Sequence, residues 1–433
     1  MDGSTTPAGT GRRTGLGRRW TRLIPVILTI YIIAYIDRVN IGFALPSLTT
    51  DLQLTGGQAG FAAGIFFIGY LFLQVPGGWL AQRWSAKRLV IILLICWGLL
   101  ATATGFVQNY GQLLAIRFGL GVVEGAVQPA MMVLISRWFP AAERGRAFSL
   151  FIMHNPIAVI IAGPLSGLIL TTGGWREMFW IEGIAGLLIG VTLWAWIAAD
   201  SPDSARWLPA VERAEIAAQR AADPPPPTQS SGGLALRTPI VWRLAAGSLL
   251  LWLGFYGLQL WLPTLLKQTF TGDLTIGLVS ALPPIAAAIA IWFNGRGADR
   301  DRRHALRVMV PLALGGIVLA ASPLITGEQP VLIVLALCVA TACQLSFFGP
   351  FWSLAAQRVP AAAIGVGFGM INGIGNLGGA LGPYLGGALK DRTGSLAISA
   401  VAFGLAVIIA GVIVGTIGRP RAPEVEPASA DIR

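Results

Sequence analysis

Four ionisable side chains interrupt stretches that are otherwise apolar: Asp37, Arg38, Arg117 and Glu124. An ionisable group in the middle of a bilayer costs several kcal/mol, with estimates from about 2.5 upward, so each is a functional candidate. Arginine stays protonated and can bind a carboxylate through two parallel hydrogen bonds. Burial and nearby cations can tune a carboxylic acid to take up and release protons. The set therefore indicates chemistry on an anion and on protons, the alternative being an ion-pair network that only fixes helix packing.

The spacing of these residues restricts how they pair. Arg117 and Glu124 are seven residues apart, which places them on one helix face but about 10.5 Å apart along the axis. They cannot pair with each other and need other partners, with Gly121 between them leaving room for a ligand or another backbone. Asn40 follows Asp37 at i+3 on the same face. Arg38 is a candidate partner for either Asp37 or Glu124.

The elements that hold these residues are predicted to be membrane spans. The chain has 433 residues, 55% hydrophobic and only 12% charged, with a mean hydropathy of +0.69, whereas a soluble domain carries about 25% charged residues. A spanning helix needs about 20 apolar residues. Hydropathy predicts twelve spans, at residues 23–45, 57–80, 89–107, 113–135, 147–170, 177–199, 240–265, 275–294, 307–326, 331–356, 364–388 and 395–418.

A polar segment at residues 200–238 separates six spans from six spans. Its centre is four prolines and then polar and glycine residues, 224–233, a composition typical of a linker. The sequence predicts an all-α integral membrane protein with twelve transmembrane helices in two six-helix bundles. The domains are an N-terminal tail 1–22, a bundle 23–199, the linker 200–238, a bundle 239–418 and a tail 419–433. A short interfacial helix is predicted at residues 207–220.

Basic residues predict the orientation. With both termini in the cytoplasm, the cytoplasmic segments hold 25 of the 31 lysines and arginines and the outside loops hold four, which follows the positive-inside rule. The same bias explains the net charge of +11 without a nucleic-acid partner. The sequence predicts a protein of a bacterial inner membrane, in contact with lipid and functional as a monomer.

Two basic loops repeat each other. Residues 78–87 follow span 2, residues 295–303 follow span 8, and the two start 217 residues apart. Each begins with glycine and has a polar residue and then arginine four and five positions later. An internal repeat of this kind is typical of transporters whose halves rock around a central site. We therefore predict a conformational role for Gly78, Arg83, Asp299 and Arg300.

Signatures of enzymes and pumps are not found in the sequence. It contains no GxxxxGK[ST] motif for ATP and no HExxH motif. The three cysteines, Cys96, Cys338 and Cys343, have neither metal-ligand nor disulfide spacing and are interpreted as buried thiols. We expect no enzyme activity, no metal site and no cofactor other than protons as the coupling ion.

Further motifs resemble the major facilitator superfamily, and more narrowly its anion:cation symporter family, over nearly the whole chain except the tails and the linker. They are residues 37–44 (DRVNIGFA), Arg117 with Glu124, 136–140 (SRWFP) with 144–147 (RGRA), 174–176 (GWR), 261–264 (WLPT), 371–379 (INGIGNLGG) and 382–384 (GPY). The first loop repeat departs from the family pattern at Gln82 and Ser85.

The resemblance implies roles for individual residues. Asp37 and Glu124 would be protonation sites, and Arg117 would anchor an anion with Arg38 beside it. Polar and aromatic residues would complete a substrate cavity between the bundles: Tyr70, Asn155, Gln259, Trp352 and Asn372. For each of these, hydrogen bonding between helices is the alternative.

The expected function is import of a small organic anion, namely a dicarboxylate, sugar acid or aromatic carboxylate, by proton symport through alternating access. An efflux or exchange carrier for drugs or metabolites stays open, because residues 163–167 (GPLSG) resemble a glycine–proline motif of exchangers. A membrane receptor that senses a carboxylate is a further alternative.

Overall fold

The computed structural model describes residues 17–223, 232–301, 303–325 and 329–417. Within these residues every regular element is helical, and twelve helical segments are long and apolar enough to cross a membrane, which confirms the predicted number. We call them spans 1 to 12. Their bounds are Arg19–Asp51, Gly56–Arg83, Ala86–Thr104, Tyr110–Trp138, Ala141–Thr172, Trp175–Ile197, Pro239–Leu266, Asp273–Ala298, His304–Leu324, Pro330–Arg358, Ile364–Thr393 and Ala397–Gly415.

Four spans are broken by a single residue in a turn conformation. Their first segments are Tyr110–Gly125, Ala141–Ile152, Asp273–Ser280 and Pro330–Ser346, and their second segments are Val127–Trp138, His154–Thr172, Leu282–Asp301 and Phe348–Arg358. Each first segment ends four residues before a proline: Pro129, Pro156, Pro284 or Pro350. Proline has no N–H to donate to the carbonyl four residues earlier, and its ring collides with that carbonyl. Prolines therefore account for all four breaks.

Shorter helices accompany the spans at Pro202–Ser204, Ala210–Ala221, Gly232–Arg237 and Ala361–Ala363. The helix Ala210–Ala221 lies where the sequence predicts a short interfacial helix. Its Glu212 carboxylate accepts hydrogen bonds from the backbone N–H groups of Arg18 and Arg19, at 2.9 and 3.2 Å. The carboxylate thus satisfies free donors at the start of span 1. The central linker residues 224–231 lie outside the described residues.

Glycines set the contact between the two halves at one face of the molecule. Near the start of span 2, a side chain at Gly60 or Gly64 would collide with the backbone carbonyls of Pro383 and Ala380 in span 11. Spans 5 and 8 meet in the same way, through Gly163 and Gly277. Since only glycine allows such close backbone approach, these positions bring the halves into direct backbone contact. We call this the glycine face.

A carboxylate adds a polar contact on the glycine face. Asp391, near the end of span 11, accepts hydrogen bonds from the backbone N–H groups of Gly56 and Gly57, both at 2.7 Å. These are the first residues of span 2, whose N-terminus is also capped by Thr55 with Gln58 in a capping box. An acidic group at a helix N-terminus satisfies free donors and complements the positive end of the helix dipole. Asp391 therefore ties the two halves together.

At the opposite face, spans 2 and 11 separate. A side-chain carbon added at Gly373 would come no closer than 3.9 Å to Leu71, and one at Gly369 would meet nothing within 4 Å. The structure is thus closed at the glycine face and open between these spans at the other.

The outer surface of the spans is apolar. Large side chains such as Phe72, Trp196 and Val75 are more than half exposed, as expected for surface in contact with lipid tails. Cys96 is also exposed, while Cys338 and Cys343 are half-buried. The expectation that all three thiols are buried is therefore wrong, because Cys96 lies on an exposed side of span 3.

Candidate functional site

Arg38 and Glu124 form a buried ion pair between spans 1 and 4. The Arg38 Nη2 atom lies 2.8 Å from Glu124 Oε2, and the side chains are 11% and 2% exposed. The guanidinium also lies over the rings of Tyr35, Phe66 and Tyr70, at 5.1, 5.1 and 4.9 Å from the ring centres. Of the two partners considered for Arg38, the structure shows Glu124. The rings enclose the cation and restrict its movement.

Arg117 is buried without an ion-pair partner among the described residues. It is 1% exposed, and its Nε and Nη1 atoms are buried with no hydrogen-bond partner in that part of the chain. Its guanidinium lies 5.3 Å from the centre of the Phe66 ring. As the spacing predicts, Arg117 does not pair with Glu124. The space beside Gly121, which lies between them, is occupied by the Phe66 backbone carbonyl. An unpaired guanidinium is costly to bury and is available to an incoming anion.

Asp37 faces a different set of groups from Glu124. Its Oδ2 atom accepts a hydrogen bond from the Trp97 indole at 3.2 Å, and its Oδ1 atom accepts one from the Asn40 amide at 3.3 Å. The second bond confirms that Asp37 and Asn40 share a face. Among the described residues, Asp37 has no ion-pair partner. The two carboxylates therefore have different partners: Glu124 pairs with Arg38, and Asp37 accepts hydrogen bonds from an indole and an amide.

Glu182 in span 6 is a buried carboxylate that the sequence analysis missed. It is 9% exposed. Its Oε2 atom accepts a hydrogen bond from Asn40 at 2.7 Å, and its Oε1 atom accepts one from Ser166 at 2.9 Å. Its position, five residues inside the predicted span 177–199, is the signal that could have identified it. The charge cluster thus consists of five residues: Asp37, Arg38, Arg117, Glu124 and Glu182.

Tyr70 lies in the charge cluster, with its hydroxyl already engaged. The hydroxyl donates a hydrogen bond to the Gln128 side chain at 2.9 Å, and the residue is 3% exposed. Because Gly125 has no side chain, span 4 can pass close to the Tyr70 carbonyl. In this conformation Tyr70 stacks on Arg38 and holds span 2 to span 4.

Asn155 and Gln259 come together at a cavity between the halves. Both line it, from spans 5 and 7, and apolar residues supply most of the remaining wall: Pro156, Val159, Phe255, Leu258, Leu262, Pro283, Pro284 and Leu345. The amide oxygen and nitrogen of Gln259 are buried without a hydrogen-bond partner among the described residues. These unsatisfied polar atoms can bind a ligand's polar groups. Three of the four broken spans border the cavity, as in transporters whose sites form at discontinuous helices.

Trp352 and Asn372 lie apart from these groups. The Trp352 ring packs against Phe348, Phe351 and Phe368, with ring centres 5.1 to 6.4 Å apart. Asn372 is half-buried on span 11. Within the described residues, no hydrogen bond or ring contact joins either one to the charge cluster or to Gln259. Their proposed contact with substrate stays a prediction.

Two of the four predicted gating residues, Gly78 and Arg83, lie against other residues of their own half. Arg83 lies over the Trp79 ring at 4.8 Å, and a side chain at Gly78 would approach Pro129 at 3.2 Å. Arg300 is exposed near the end of the span 8 helix. The Asp299 side chain lies outside the described part of the structure. Their conformational role stays a prediction.

Comparison with known proteins places this geometry in a family. The sequence profile described as Major Facilitator Superfamily matches residues 27–383. The chain is 31% identical to a putative tartrate transporter of Agrobacterium vitis over 93% of its own length and 94% of the relative's. It is 33% identical to a quinolone resistance transporter of Acinetobacter baumannii, over 87% and 88%.

A solved structure shares the fold. It is a bacterial homolog of the human lysosomal transporter Spinster, in an inward-facing and occupied conformation. The TM-score is 0.76 at 16% identity, with 92% of this chain and 97% of that chain covered. At this identity the likeness concerns the fold alone.

Proposed function

The chain belongs to the Major Facilitator Superfamily, and on that premise we propose that it imports a small organic anion together with protons. The anion would be a dicarboxylate, a sugar acid or an aromatic carboxylate. The tartrate transporter among its relatives supports an organic anion as substrate. The single observation that carries the proposal is the buried Arg117 guanidinium with hydrogen-bond donors left unsatisfied among the described residues.

Arg117 is the proposed anion anchor. A carboxylate can accept two parallel hydrogen bonds from a guanidinium, and each such charge-assisted bond is worth about 1.5–3 kcal/mol. Lysine offers a point charge without the planar fork. Losing one bond in Arg117→Lys should therefore raise the half-saturation concentration about ten- to a hundredfold.

Glu124 is the proposed coupling residue. While it is ionised, its carboxylate holds Arg38 in the 2.8 Å ion pair. Protonation removes the charge that holds Arg38 and leaves that cation available to the anion. Binding of a proton and binding of the anion then favour each other, and this coupling is reciprocal by thermodynamic necessity. Asp37, which is hydrogen-bonded to Trp97 and Asn40, is the second proposed protonation site.

Alternating access would move the opening from one face to the other. The positive-inside bias predicts that both termini are cytoplasmic, so the glycine face would be the outer one. The structure then corresponds to a state that is open towards the cytoplasm. Separation of the glycine face and approach of spans 2 and 11 at the opposite end would give the outward-open state.

The test uses purified protein in liposomes loaded with a pH-sensitive dye. Tartrate, sugar acids, phthalate and other carboxylates are added outside one at a time. We expect one of them to acidify the interior. Glu124→Gln should abolish acidification and uphill accumulation while keeping exchange of labelled for unlabelled substrate. The reason is that a protein with a neutral side chain at this position can still bind and release the anion. The control is Glu215→Gln, at an exposed glutamate of the helix Ala210–Ala221.

Two outcomes would contradict the proposal. Acidification at the wild-type level in Glu124→Gln would remove that residue from coupling. Anion uptake by the wild type with no proton movement at all would refute symport.

Export is the second candidate, because one relative is named a quinolone resistance transporter and the wall of the cavity is mostly apolar. Export predicts that expression of the protein lowers the sensitivity of cells to a quinolone. It also predicts that the purified protein moves the drug in one direction while protons move in the other. Uptake of a carboxylate without either effect would decide for import.

A further inference from the structure

Glu182 and Asp37 are joined by one amide group. The Asn40 Nδ2 atom donates to Glu182 Oε2 at 2.7 Å and to Asp37 Oδ1 at 3.3 Å. An amide NH₂ has two hydrogens, so each carboxylate takes one of them. The two carboxylate oxygens therefore lie at most about 6 Å apart, a separation at which like charges disfavour double ionisation.

Glu182 forms no ion pair with a cation among the described residues. Span 6 packs against spans 1, 3 and 5. In the described residues, span 5 places the Ser166 hydroxyl against Glu182, and span 1 places Asn40 and, beyond it, Asp37. Span 3 contributes the Trp97 indole, which binds Asp37. Arg38 pairs with Glu124, and Arg117 forms no ion pair with either Asp37 or Glu182 in this part of the chain.

Asn40 is the group that links the two carboxylates, and its own amide oxygen is unpaired among the described residues. The residue is fully buried, and its Oδ1 atom has no hydrogen-bond partner among the described residues. Turning the amide by 180° exchanges its oxygen and nitrogen with little change of heavy-atom positions. The turned form would set the amide oxygen against a carboxylate oxygen, whereas in the observed form each N–H can donate either to an ionised oxygen or to the carbonyl oxygen of a protonated carboxyl. Asn40 can thus accommodate both the doubly ionised pair and the pair with one proton.

We propose that Glu182 binds a proton, which it shares with Asp37 across Asn40. The pair gains one proton from water on loading and returns it on release, with no other bond made or broken. This site lies beside, and is separate from, the Arg38–Glu124 pair. Its use as a second coupling site rests on the proposed function, whereas the binding of the proton does not.

Infrared spectroscopy tests proton binding without transport. The carbonyl stretch of a protonated carboxylic acid is recorded on purified protein while pH is varied, with simultaneous measurement of protons taken up. Glu182→Gln keeps the shape and hydrogen-bonding capacity of the side chain but cannot titrate. We expect it to lose a component of the carbonyl band and one proton per molecule. Glu177→Gln, on the same span, is the matched control and should leave the Glu182 component of the band unchanged.

A second variant covers the case in which Glu182→Gln does not fold. Ser166→Ala keeps the carboxyl and removes its 2.9 Å donor. If Glu182 carries the proton, the frequency of the carbonyl band should shift, because one hydrogen bond to that carboxyl is gone. An unshifted band, or an unchanged proton count in folded Glu182→Gln, would overturn the proposal.

The transport measurement separates the two proposals. In liposomes, Glu182→Gln should carry one proton fewer per anion than the wild type. The number of protons per anion is obtained from the proton gradient at which a fixed anion gradient causes no net transport. If the wild type moves no protons while the Glu182 component of the infrared band is present, the proposed function fails and the proton site stands. If symport is intact and that component is absent, the proton site fails alone.

Discussion

Removal of the Asp391 carboxylate should open the glycine face. This carboxylate accepts two 2.7 Å hydrogen bonds from the first residues of span 2, across the boundary between the halves. Loss of a helix-capping side chain costs about 0.5–2 kcal/mol, and loss of a favourable charge at a helix N-terminus about 0.3–1 kcal/mol. Since Asp391 is exposed, solvent screens its charge and the lower half of the range applies.

The expected change in population follows from these figures. Asp391→Ala removes both bonds and the charge, for about 1–2 kcal/mol, so the ratio of open to closed molecules should rise about 5- to 30-fold. Asp391→Asn keeps one acceptor oxygen, and a loss of about 0.5–1 kcal/mol corresponds to about two- to fivefold. High salt should reduce the difference between wild type and Asp391→Asn, because that difference is mainly the charge.

Distance measurements between spin labels provide the assay. Cysteines replace Gln108 and Ser395, exposed loop residues of opposite halves at this face, in a background without the three native cysteines. Asp273→Asn is the matched control: it removes an aspartate from the same face that pairs with Lys267 of its own half, at 3.0 Å. A distance distribution in Asp391→Ala that equals the control's would refute the reasoning.

Three further predictions concern packing and charge. Gly121→Ala should lower the melting temperature, because the added methyl meets the Phe66 backbone and overpacking costs about 1–3 kcal/mol; Gly119→Ala, with only ordinary contacts, is the control, and equal melting would contradict this. Arg38→Met should destabilise by about 3–5 kcal/mol by leaving Glu124 unpaired. The double variant with Glu124→Gln should be less affected, and additive melting shifts would argue against the pair. Arg307 donates hydrogen bonds to the Asp301 carboxylate and holds its pKa below the usual range. The stabilisation is therefore present at neutral pH and lost as pH falls through that lowered pKa; Arg307→Gln should raise the pKa, measured by carboxyl carbon NMR, and an unchanged value would contradict the contact.

Much of the fold could be predicted from the sequence, because lipid imposes long apolar helices whose number can be read from composition. The spacing of Arg117 and Glu124 also predicted correctly that they do not pair. The four breaks were not predicted, although in each broken span a proline lies four residues after the end of the first segment. Other prolines, such as Pro46 and Pro76, lie inside unbroken helices, so a proline alone does not decide where a span breaks.

The candidate site was predicted less completely, because its contacts join distant parts of the chain. Asp391 binds Gly56 across 335 positions, and such a pairing depends on helix rotations that no local pattern fixes. Glu182 was missed for a different reason: it was visible inside a predicted span but was not among the four charges singled out. Its bond to Asn40 depends on the packing of span 6 against span 1, which the sequence leaves open.

The backbone contacts of the glycine face have a thermodynamic consequence. Side chains are absent where Gly60 and Gly64 meet span 11, so separating these surfaces exposes few hydrocarbon groups. The heat capacity change of a transition is governed mainly by the apolar surface that it exposes. These backbone contacts should therefore contribute little to the heat capacity change of opening. Any curvature in the van 't Hoff plot for opening of this face should then come from the side chains that meet beside these contacts, such as Phe61 and Tyr384.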